Sequence, residues 1–264
     1  MTMILSSLLV LAIVGLLVGL MLVFVGNKFK VEVDEREAAV RDCLPGNNCG
    51  GCGYAGCDAV AAAIVKGEAP VTACPVGGQA VADKISAIMG VTAGDGADKK
   101  VAFVKCAGTC DKAKDNCNYV GIKTCEAAAI IPGKGSKACQ QGCLGFGSCV
   151  AACQFDAIHV VNGVAVVDRS KCVACGSCVK ACPQKLIELV PDKSTYAVQC
   201  SNQEKAKTVK AQCDVGCLGC GLCVRQCEEG AIALQGNVAK IDYEKCVGCG
   251  KCAAKCPAKI IRMR

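Results

Sequence analysis

The chain has 264 residues, of which 27 are cysteine, whereas it contains only five Phe, four Tyr and no Trp. So few aromatic residues exclude a large aromatic core, and the cysteine content indicates two or three small domains held by metal or by disulfides. The net charge of +7 counts every cysteine as neutral, so metal-bound thiolates would lower it. Because no basic patch with interleaved aromatic residues is present either, the charge does not support nucleic-acid binding.

An apolar span comes first along the chain. Ile4–Val25 carries no charge, and as a helix it would be roughly 33 Å long, which matches a bilayer core. A cleaved signal peptide is the alternative, but the span is longer than a signal core and has neither a basic start nor an A-x-A site. Lys28, Lys30 and Arg36 follow it, which predicts that the rest of the chain is cytoplasmic, where disulfides are disfavoured. We therefore expect residues 1–27 to be a single-pass transmembrane anchor in the cytoplasmic membrane.

The next segment, residues 28–90, begins with a charged connector (31–41) and contains a first cysteine-rich unit. Its loop reads CGGCGYAGC and opens the helix-like run DAVAAAIVKG, while a fourth cysteine returns from a distance. Four cysteines at this spacing suit zinc or a [4Fe-4S] cluster, and the Gly-rich loop and the runs further along favour the cluster. The expected ligands are Cys49, Cys52, Cys57 and Cys74, with Cys43 as a bystander.

A stretch rich in Gly, Asp and Lys (89–100) indicates a linker, and residues 91–138 read as a linker followed by a cysteine-rich connector. The chain then repeats itself, because CQQGCLGFGSCVAAC from Cys139 corresponds to CDVGCLGCGLCVRQC from Cys213. After these runs, each repeat has two alternating apolar stretches around an Asn-Gly or Gly-Asn pair, which predicts a β-hairpin.

Three cysteine runs have the spacing C-x2-C-x2-C-x3-C, which is typical of bacterial ferredoxins. Three thiolates in one tight loop cap three corners of an iron–sulfur cube, and the fourth reaches the second cube of a pair. We therefore expect an α+β fold in which two tandem ferredoxin-like di-cluster domains, 139–192 and 193–264, follow the small [4Fe-4S] domain. The complete ligand sets are Cys153 with Cys172, Cys175 and Cys178; Cys256 with Cys217, Cys220 and Cys223; and Cys227 with Cys246, Cys249 and Cys252.

One motif is incomplete, since Phe146 stands where the second repeat has Cys220. We expect Cys139 to be the substitute ligand; a three-iron cluster or a nearby non-cysteine ligand are the alternatives. The ligands of this site would then be Cys139, Cys143, Cys149 and Cys182.

Other upstream cysteines are candidates for one further cluster. It would need one more thiolate, from Cys139 or Cys200, and the division of these cysteines is left open. The count is thus five [4Fe-4S] clusters, or six with this one, and six at roughly −2 each would bring the net charge to about −5. The candidate ligands are Cys106, Cys110 and Cys125, while Cys117, Cys200 and Cys213 have no assigned role.

Apart from these iron–sulfur motifs, the sequence contains no motif that indicates catalysis. No G-x-G-x-x-G loop follows a strand, and no nucleophile–base pair can be identified. His159, which is the sole histidine, lies in a strand-like run and is expected to have a surface or packing role. We expect no catalytic residue and neither an NAD nor a flavin site in this chain.

Together these motifs resemble the RnfB family, the B subunits of the Rnf electron-transport complex, in the long form found in anaerobic bacteria. The likeness rests on the anchor, on CGGCGYAGC with the distant Cys74-Pro75, on VKCAGTCDK and GIKTCEAAA, and on the duplicated ferredoxin tail. It implies a membrane complex with five other Rnf subunits (RnfA, RnfC, RnfD, RnfE and RnfG) that oxidises reduced ferredoxin, reduces NAD+ on another subunit and exports Na+ or H+.

RnfB in that scheme takes electrons from soluble ferredoxin and passes them to the membrane subunits. We expect the first cysteine unit to exchange electrons with the membrane partners and the C-terminal repeat to meet ferredoxin. One alternative is a polyferredoxin of another membrane oxidoreductase, such as a hydrogenase. The other is a non-redox scaffold whose cysteines hold zinc or form disulfides.

Overall fold

The computed structural model of the chain describes residues 2–28, 34–92 and 99–264. Its first helix is α1 (Thr2–Lys28), whose side chains are described at residues 12–26 and 28. Among the described residues, no helix has the length and apolar content needed to cross a membrane. Parts of three expected segments lie outside the described residues. For the anchor these are the side chains at its start, for the charged connector and the residues just before it they are residues 29–33, and for the linker they are residues 93–98.

Three helices form the N-terminal unit. They are α2 (Glu35–Cys43), α3 (Cys57–Val65) and α4 (Gly78–Met89). The predicted helix after the CGGCGYAGC loop is thereby confirmed as α3. Val40, Ile64 and Ile85, one from each helix, are almost fully buried against one another, and Arg41 Nε donates to Asp58 Oδ1 over 2.6 Å. This small core fixes the cysteine loop between α2 and α3.

Each repeat contains one long-range strand pair and one hairpin, all antiparallel. In the first repeat β1 (Lys100–Val104) pairs with β4 (Ile187–Pro191), and β2 (Ile158–Val161) with β3 (Val164–Val167). In the second, β5 (Tyr196–Val198) pairs with β8 (Ile261–Met263), and β6 (Ile232–Gln235) with β7 (Val238–Ile241). β1 lies inside the expected connector, yet its apolar residues are buried against β4, so it belongs to the first repeat.

Both predicted hairpins are confirmed. Asn162 and Gly163 have φ values of 47° and 74°, as a type I′ turn requires. Gly236 has φ 62° at the first central position of the other turn. Each turn packs on a cysteine loop of its own repeat, since a Cβ added at Gly145 would lie 2.8 Å from the Gly163 carbonyl oxygen, and one at Gly219 would lie 2.9 Å from that of Asn237.

Short helices carry the third cysteine of each ferredoxin-type run. They are α6 (Ser148–Ala151), α7 (Ser177–Ala181), α9 (Leu222–Gln226) and α10 (Lys251–Ala254), and each starts after a glycine with φ between 68° and 80°. A left-handed residue is needed there to turn the loop into the helix, and glycine adopts that conformation without strain. The other two short helices described are α5 (Cys125–Ile130) and α8 (Ala206–Gln212).

The two repeats pack against each other, and cysteines form part of their cores. Val101, Ile158 and Val190 are buried together with several cysteine side chains, which compensates for the scarcity of aromatic residues. The last residue, Arg264, links the repeats: its carbonyl oxygen accepts from Arg169 Nη1 at 3.0 Å, and its guanidinium lies 5.4 Å from the ring centroid of Phe103.

Candidate metal centres

All 27 cysteines lie in the described residues and are free thiols. Within the described ranges, no three Cys, His, Asp or Glu side chains are close enough to bind one metal ion. A [4Fe-4S] cluster has a different requirement, since each of its four thiolates binds a separate iron. The structure contains cavities that are each lined by four cysteines, and such a cavity could meet that requirement.

In three of these cavities, the lining cysteines are the same four that the ferredoxin spacing assigns to one cluster. We name each site after the third cysteine of its ferredoxin-type run. The Cys178 site contains Cys153, Cys172, Cys175 and Cys178. The Cys223 site contains Cys217, Cys220, Cys223 and Cys256. The Cys252 site contains Cys227, Cys246, Cys249 and Cys252.

A fourth cavity belongs to the incomplete motif, and we name it the Cys149 site. It is lined by Cys125, Cys143, Cys149 and Cys182. Cys139, the substitute expected from the sequence, lies in a different cavity. The geometry therefore favours Cys125 as the fourth ligand.

Hydrogen bonds explain how Cys125 reaches this cavity. It is the first residue of α5, and its backbone N–H donates to Ser148 Oγ at 3.0 Å. The same hydroxyl donates to Glu126 Oε2 at 2.6 Å, so one serine joins α5 to α6, where Cys149 lies. Thr124 caps α5 by accepting the N–H of Ala127. The capped helix start in the GIKTCEAAA stretch is a sequence signal that could have identified Cys125.

Phe146 has a packing role in place of the missing ligand. Its ring centroid lies 5.2 Å from that of Tyr119, at an interplanar angle of 49°. Tyr119 and Cys125 both lie in residues 107–138, between Cys106 and Cys139, a segment 20 residues longer than its counterpart between Cys200 and Cys213. We call this segment the insertion. The ring of Phe146 thus helps to hold in place the segment that carries Cys125.

The fifth cavity, which we name the junction site, lies between the repeats. It is lined by Cys106, Cys139, Cys200 and Cys213. The structure therefore does not bring Cys106, Cys110 and Cys125 together as one ligand set: Cys106 lies in the junction site, Cys125 lies in the Cys149 site, and Cys110 is exposed beside the hairpin turn at Gly163. The reason is that hydrogen bonds through Ser148 hold Cys125 against α6, whereas Cys110 packs against the hairpin turn.

The N-terminal site comprises the cysteines of the first unit. Cys57 begins α3, and its N–H donates to Asn48 Oδ1 at 2.7 Å, which fixes the end of the loop. Cys52 and Cys57 interact electrostatically with Cys74, whose sulfur accepts an N–H from Gly77 at 3.4 Å. Cys49 is half-buried in the same loop. Cys43 packs at the edge of the helical core, and Cys117 is exposed.

Burial raises the pKa of many of these thiols. Desolvation is the largest cause, and it brings the pKa of Cys178, Cys200 and Cys223 to about 11 and that of Cys149 to about 12. Proximity of other thiols adds to the effect at each of these cysteines. Such groups stay protonated at neutral pH unless a cation replaces the proton, as iron does.

Backbone N–H groups are directed at several sulfurs. Ala102 donates to Cys172 Sγ at 3.3 Å, Ala157 to Cys153 Sγ at 3.5 Å, and Leu186 to Cys182 Sγ at 3.5 Å. Donors of this kind stabilise the thiolate and tune the potential of an iron–sulfur cluster. Each cavity gathers four thiols, and amide donors reach sulfurs of the Cys178 and Cys149 sites; such a donor set fits [4Fe-4S].

Neighbouring sites touch through their ligands. A Cβ added at Gly51 would lie 2.7 Å from the carbonyl oxygen of Cys175, so the N-terminal loop packs directly on the Cys178 site. Burial is the main cause that raises the pKa of Cys149, and the proximity of Cys178 adds to it; α6, which carries Cys149, packs on α7, which carries Cys178. The N-terminal, Cys178 and Cys149 sites are therefore consecutive.

The junction site continues this series. The N–H of Cys143, in the Cys149 site, donates to Cys106 Sγ at 3.4 Å. The N–H of Cys217, in the Cys223 site, donates to Cys200 Sγ at 3.3 Å. Since α9 packs on α10, the Cys252 site follows the Cys223 site at the end. These contacts connect the sites one after another, from the N-terminal site to the Cys252 site.

His159 stays outside these sites. Its side chain is about half exposed, and its Nε2 lies 3.6 Å from Asp156 Oδ1. A surface role, as expected from the sequence, agrees with this position.

Comparison with known families accounts for much of the chain. A family model for an Fe-S cluster matches residues 44–76, one for a 4Fe-4S binding domain matches residues 165–188, and one for a 4Fe-4S dicluster domain matches residues 216–260. Matched residues thus include the N-terminal site, the run of the Cys178 site and both sites of the second repeat.

Relatives resemble this chain over most of its length. The B subunit of the Na+-translocating ferredoxin:NAD+ oxidoreductase complex of Acetobacterium woodii is 46% identical over 89% of this chain and 71% of that protein. The B subunit of the ion-translocating oxidoreductase complex of Methanosarcina acetivorans is 42% identical over 98% of both chains. The B subunit of the proton-translocating ferredoxin:NAD+ oxidoreductase complex of Clostridium ljungdahlii is 45% identical over 89% of this chain and 83% of that protein. The resemblance noted in the sequence is thereby confirmed, and the chain belongs to the RnfB family, the B subunits of ion-translocating oxidoreductase complexes.

Proposed function

We propose that this chain relays single electrons from reduced ferredoxin to the membrane subunits of a ferredoxin:NAD+ oxidoreductase that exports Na+ or H+. It has no catalytic residue of its own in this scheme, and NAD+ is reduced on another of the Rnf subunits. The observation that carries the proposal is the series of four-cysteine sites, in which the segments that hold one site contact those that hold the next.

Six ligand sets follow for the [4Fe-4S] clusters. Five of them are Cys49, Cys52, Cys57 and Cys74; Cys153, Cys172, Cys175 and Cys178; Cys125, Cys143, Cys149 and Cys182; Cys217, Cys220, Cys223 and Cys256; and Cys227, Cys246, Cys249 and Cys252. The sixth is Cys106, Cys139, Cys200 and Cys213, which line the junction site between the repeats. Cys125 takes the place that the spacing alone gives to Cys139.

When bound, such clusters accept and donate one electron at low potential. The chain's own residues do the remaining work. The glycine-led helices hold three sulfurs of each run in place, and the buried walls around Cys149 and Cys178 exclude water. N–H donors such as that of Ala102 stabilise negative charge on the sulfurs.

The two ends of the series of sites have different surroundings, which supports a direction for electron transfer. The N-terminal site lies in the unit that follows α1 in the chain. At the other end Cys249 is exposed, and the neighbouring Val247 has 67% of its surface exposed. We therefore assign ferredoxin docking to the Cys252 site and delivery to the membrane subunits to the N-terminal site.

Membrane attachment through residues 1–27 is part of the proposal. The uncharged run Ile4–Val25, with Lys28, Lys30 and Arg36 behind it, supports a single-pass anchor and a cytoplasmic C-terminal part. The full chain should resist extraction by alkaline carbonate and dissolve in detergent. In inside-out vesicles an added protease should digest its C-terminal part, whereas in intact spheroplasts it should not. Release by carbonate would contradict the anchor.

The test of the relay uses the whole complex, purified without oxygen. It should be brown, and dithionite should produce low-temperature paramagnetic signals of reduced clusters. Cys52→Ala should abolish ferredoxin-driven NAD+ reduction while reduced ferredoxin still reduces the clusters of the two repeats. Cys43→Ala, a cysteine outside the ligand sets, is the control and should behave as wild type.

Two outcomes would contradict the relay. A colourless preparation loaded with zinc would remove the electron-transfer function altogether. Loss of ferredoxin-dependent reduction of the repeats in Cys52→Ala would reverse the proposed direction.

A further inference from the structure

Lys137 is a buried cation at the boundary between the repeats. It is 7% exposed, and in the described part of the chain no other charged side chain is buried to this extent. Its Nζ donates to the carbonyl oxygens of Gly108 at 2.9 Å and of Gly163 at 2.7 Å. No carboxylate pairs with Nζ among the described residues. A buried charge without a counter-charge is costly, and negative charge on a neighbouring group would offset that cost.

Two adjacent metal sites share this cation. Lys137 lines the cavity of the junction site. The Gly163 carbonyl oxygen that it binds packs on the loop of the Cys149 site, 2.8 Å from a Cβ placed at Gly145. Burial is the main cause that raises the pKa of Cys143 in that loop, and the proximity of Lys137 acts in the opposite direction. The charge of Lys137 therefore acts on both sites.

The second repeat lacks a buried lysine at the equivalent position. Ala211 stands there, two residues before the start of the repeated cysteine run, as Lys137 does in the first repeat. The hairpin turn of the second repeat is held by neutral groups, since Asn237 Nδ2 donates to the carbonyl oxygen of Gln203 at 2.9 Å. Arg225 lies near the Cys223 site, but its side chain is exposed, so water screens its charge. The Cys149 and Cys223 sites, which occupy equivalent places in the two repeats, thus differ in their nearby buried charge.

We infer that Lys137 creates a step in reduction potential at the boundary between the repeats, which favours electron transfer from the second repeat to the first. A reduced [4Fe-4S] cluster carries one more negative charge than an oxidised one. A positive charge nearby stabilises the reduced form more than the oxidised form, and so it raises the potential. The junction and Cys149 sites gain this stabilisation, whereas the Cys223 site does not.

This inference rests on the proposed function, in which electrons pass from the Cys223 site through the junction site to the Cys149 site. At each transfer one cluster loses an electron and the next one gains it. Lys137 itself is a positioning residue in the electrostatic sense: it accepts no electron and transfers no proton.

The first test compares reduction potentials in the whole complex, purified without oxygen and titrated while paramagnetic resonance is recorded. Lys137→Met should lower the potential of the Cys149 site, whereas the Cys223 site should keep its wild-type value. We expect the ratio of reduced to oxidised cluster in the Cys149 site, at one applied potential, to fall about tenfold, which is about 59 mV for a one-electron couple. Each signal is assigned by its loss in Cys149→Ala or Cys223→Ala.

Two further variants separate charge from structure. Lys137→Arg keeps the charge and should keep the wild-type potentials. Lys114→Met removes an equal charge from an exposed side chain of the insertion and should also leave them unchanged. Equal potentials of the Cys149 site in wild type and Lys137→Met would overturn the inference, and so would an equal decrease in Lys137→Met and Lys137→Arg. In wild type alone, a Cys149 site with a lower potential than the Cys223 site would overturn it too, and that comparison does not depend on any variant folding.

The second test follows where electrons are found after reduced ferredoxin is mixed with the complex at one electron per chain. In wild type the first repeat should hold most of the reduced clusters, as recorded by rapid-freeze paramagnetic resonance. In Lys137→Met a larger share should remain in the second repeat, and an unchanged distribution would contradict the step in potential. Failure of ferredoxin to reduce any cluster in wild type would instead contradict the proposed function.

Discussion

Because Phe146 stands where a cysteine ligand is expected, a cysteine at position 146 should restore the Cys149 site when Cys125 is removed. Cys125→Ala should remove the cluster of the Cys149 site, because Cys125 provides one of its four thiolates. Four iron should be lost, which is about one sixth of a six-cluster chain. Adding Phe146→Cys should restore the cluster, since position 146 has the same spacing from Cys143 and Cys149 as Cys220 has in the complete run.

The rescue has a cost that can be estimated from the structure. Phe146→Cys removes the contact of 5.2 Å between the rings of Phe146 and Tyr119, and such a pair contributes about 1 kcal/mol. The double variant should therefore carry the full iron content but lose its clusters at a lower denaturant concentration than wild type. Iron and sulfide analysis with native mass spectrometry gives the first quantity, and loss of the visible absorbance during denaturation gives the second.

The control combines Phe146→Cys with Cys139→Ala. Cys139 belongs to the junction site, so a cysteine at position 146 should not restore the cluster lost there. If Phe146→Cys rescued Cys139→Ala and failed to rescue Cys125→Ala, the ligand assignment from the tertiary structure would be refuted, and Cys139 would be the substitute ligand.

Three other perturbations test how the sites are positioned. Gly51→Val should slow electron transfer between the N-terminal and Cys178 sites at full iron content, because its Cβ would lie 2.7 Å from the Cys175 carbonyl oxygen; an unchanged rate in rapid-freeze experiments would contradict this. Ser148→Ala should weaken the attachment of α5 by about 1–2 kcal/mol and speed iron loss to a chelator. Ser177→Ala at the equivalent position of α7 removes only a contact of 3.5 Å with Cys175 Sγ and should speed iron loss less. Lys137→Met should lower the midpoint potential of the junction site relative to Lys137→Arg, since the buried positive charge stabilises the more negative reduced state; equal potentials in a redox titration would argue against that role.

The sequence determined the local part of each metal site. Runs such as Cys172, Cys175 and Cys178 place three sulfurs within seven residues, so the chain has few ways to arrange them. Hairpin turns such as Asn162-Gly163 are equally local, because two residues with positive φ set the geometry. The family likewise followed from motifs that lie close together in the chain.

Only the tertiary structure decided which distant cysteines complete a site. Cys125 reaches the Cys149 site because Ser148 ties α5 to α6, and no spacing rule connects residues so far apart. The junction site needs both repeats to pack, since each contributes two of its four cysteines. Spacing constrains sulfurs that share one loop, whereas the meeting of separate segments depends on the packing of the whole chain.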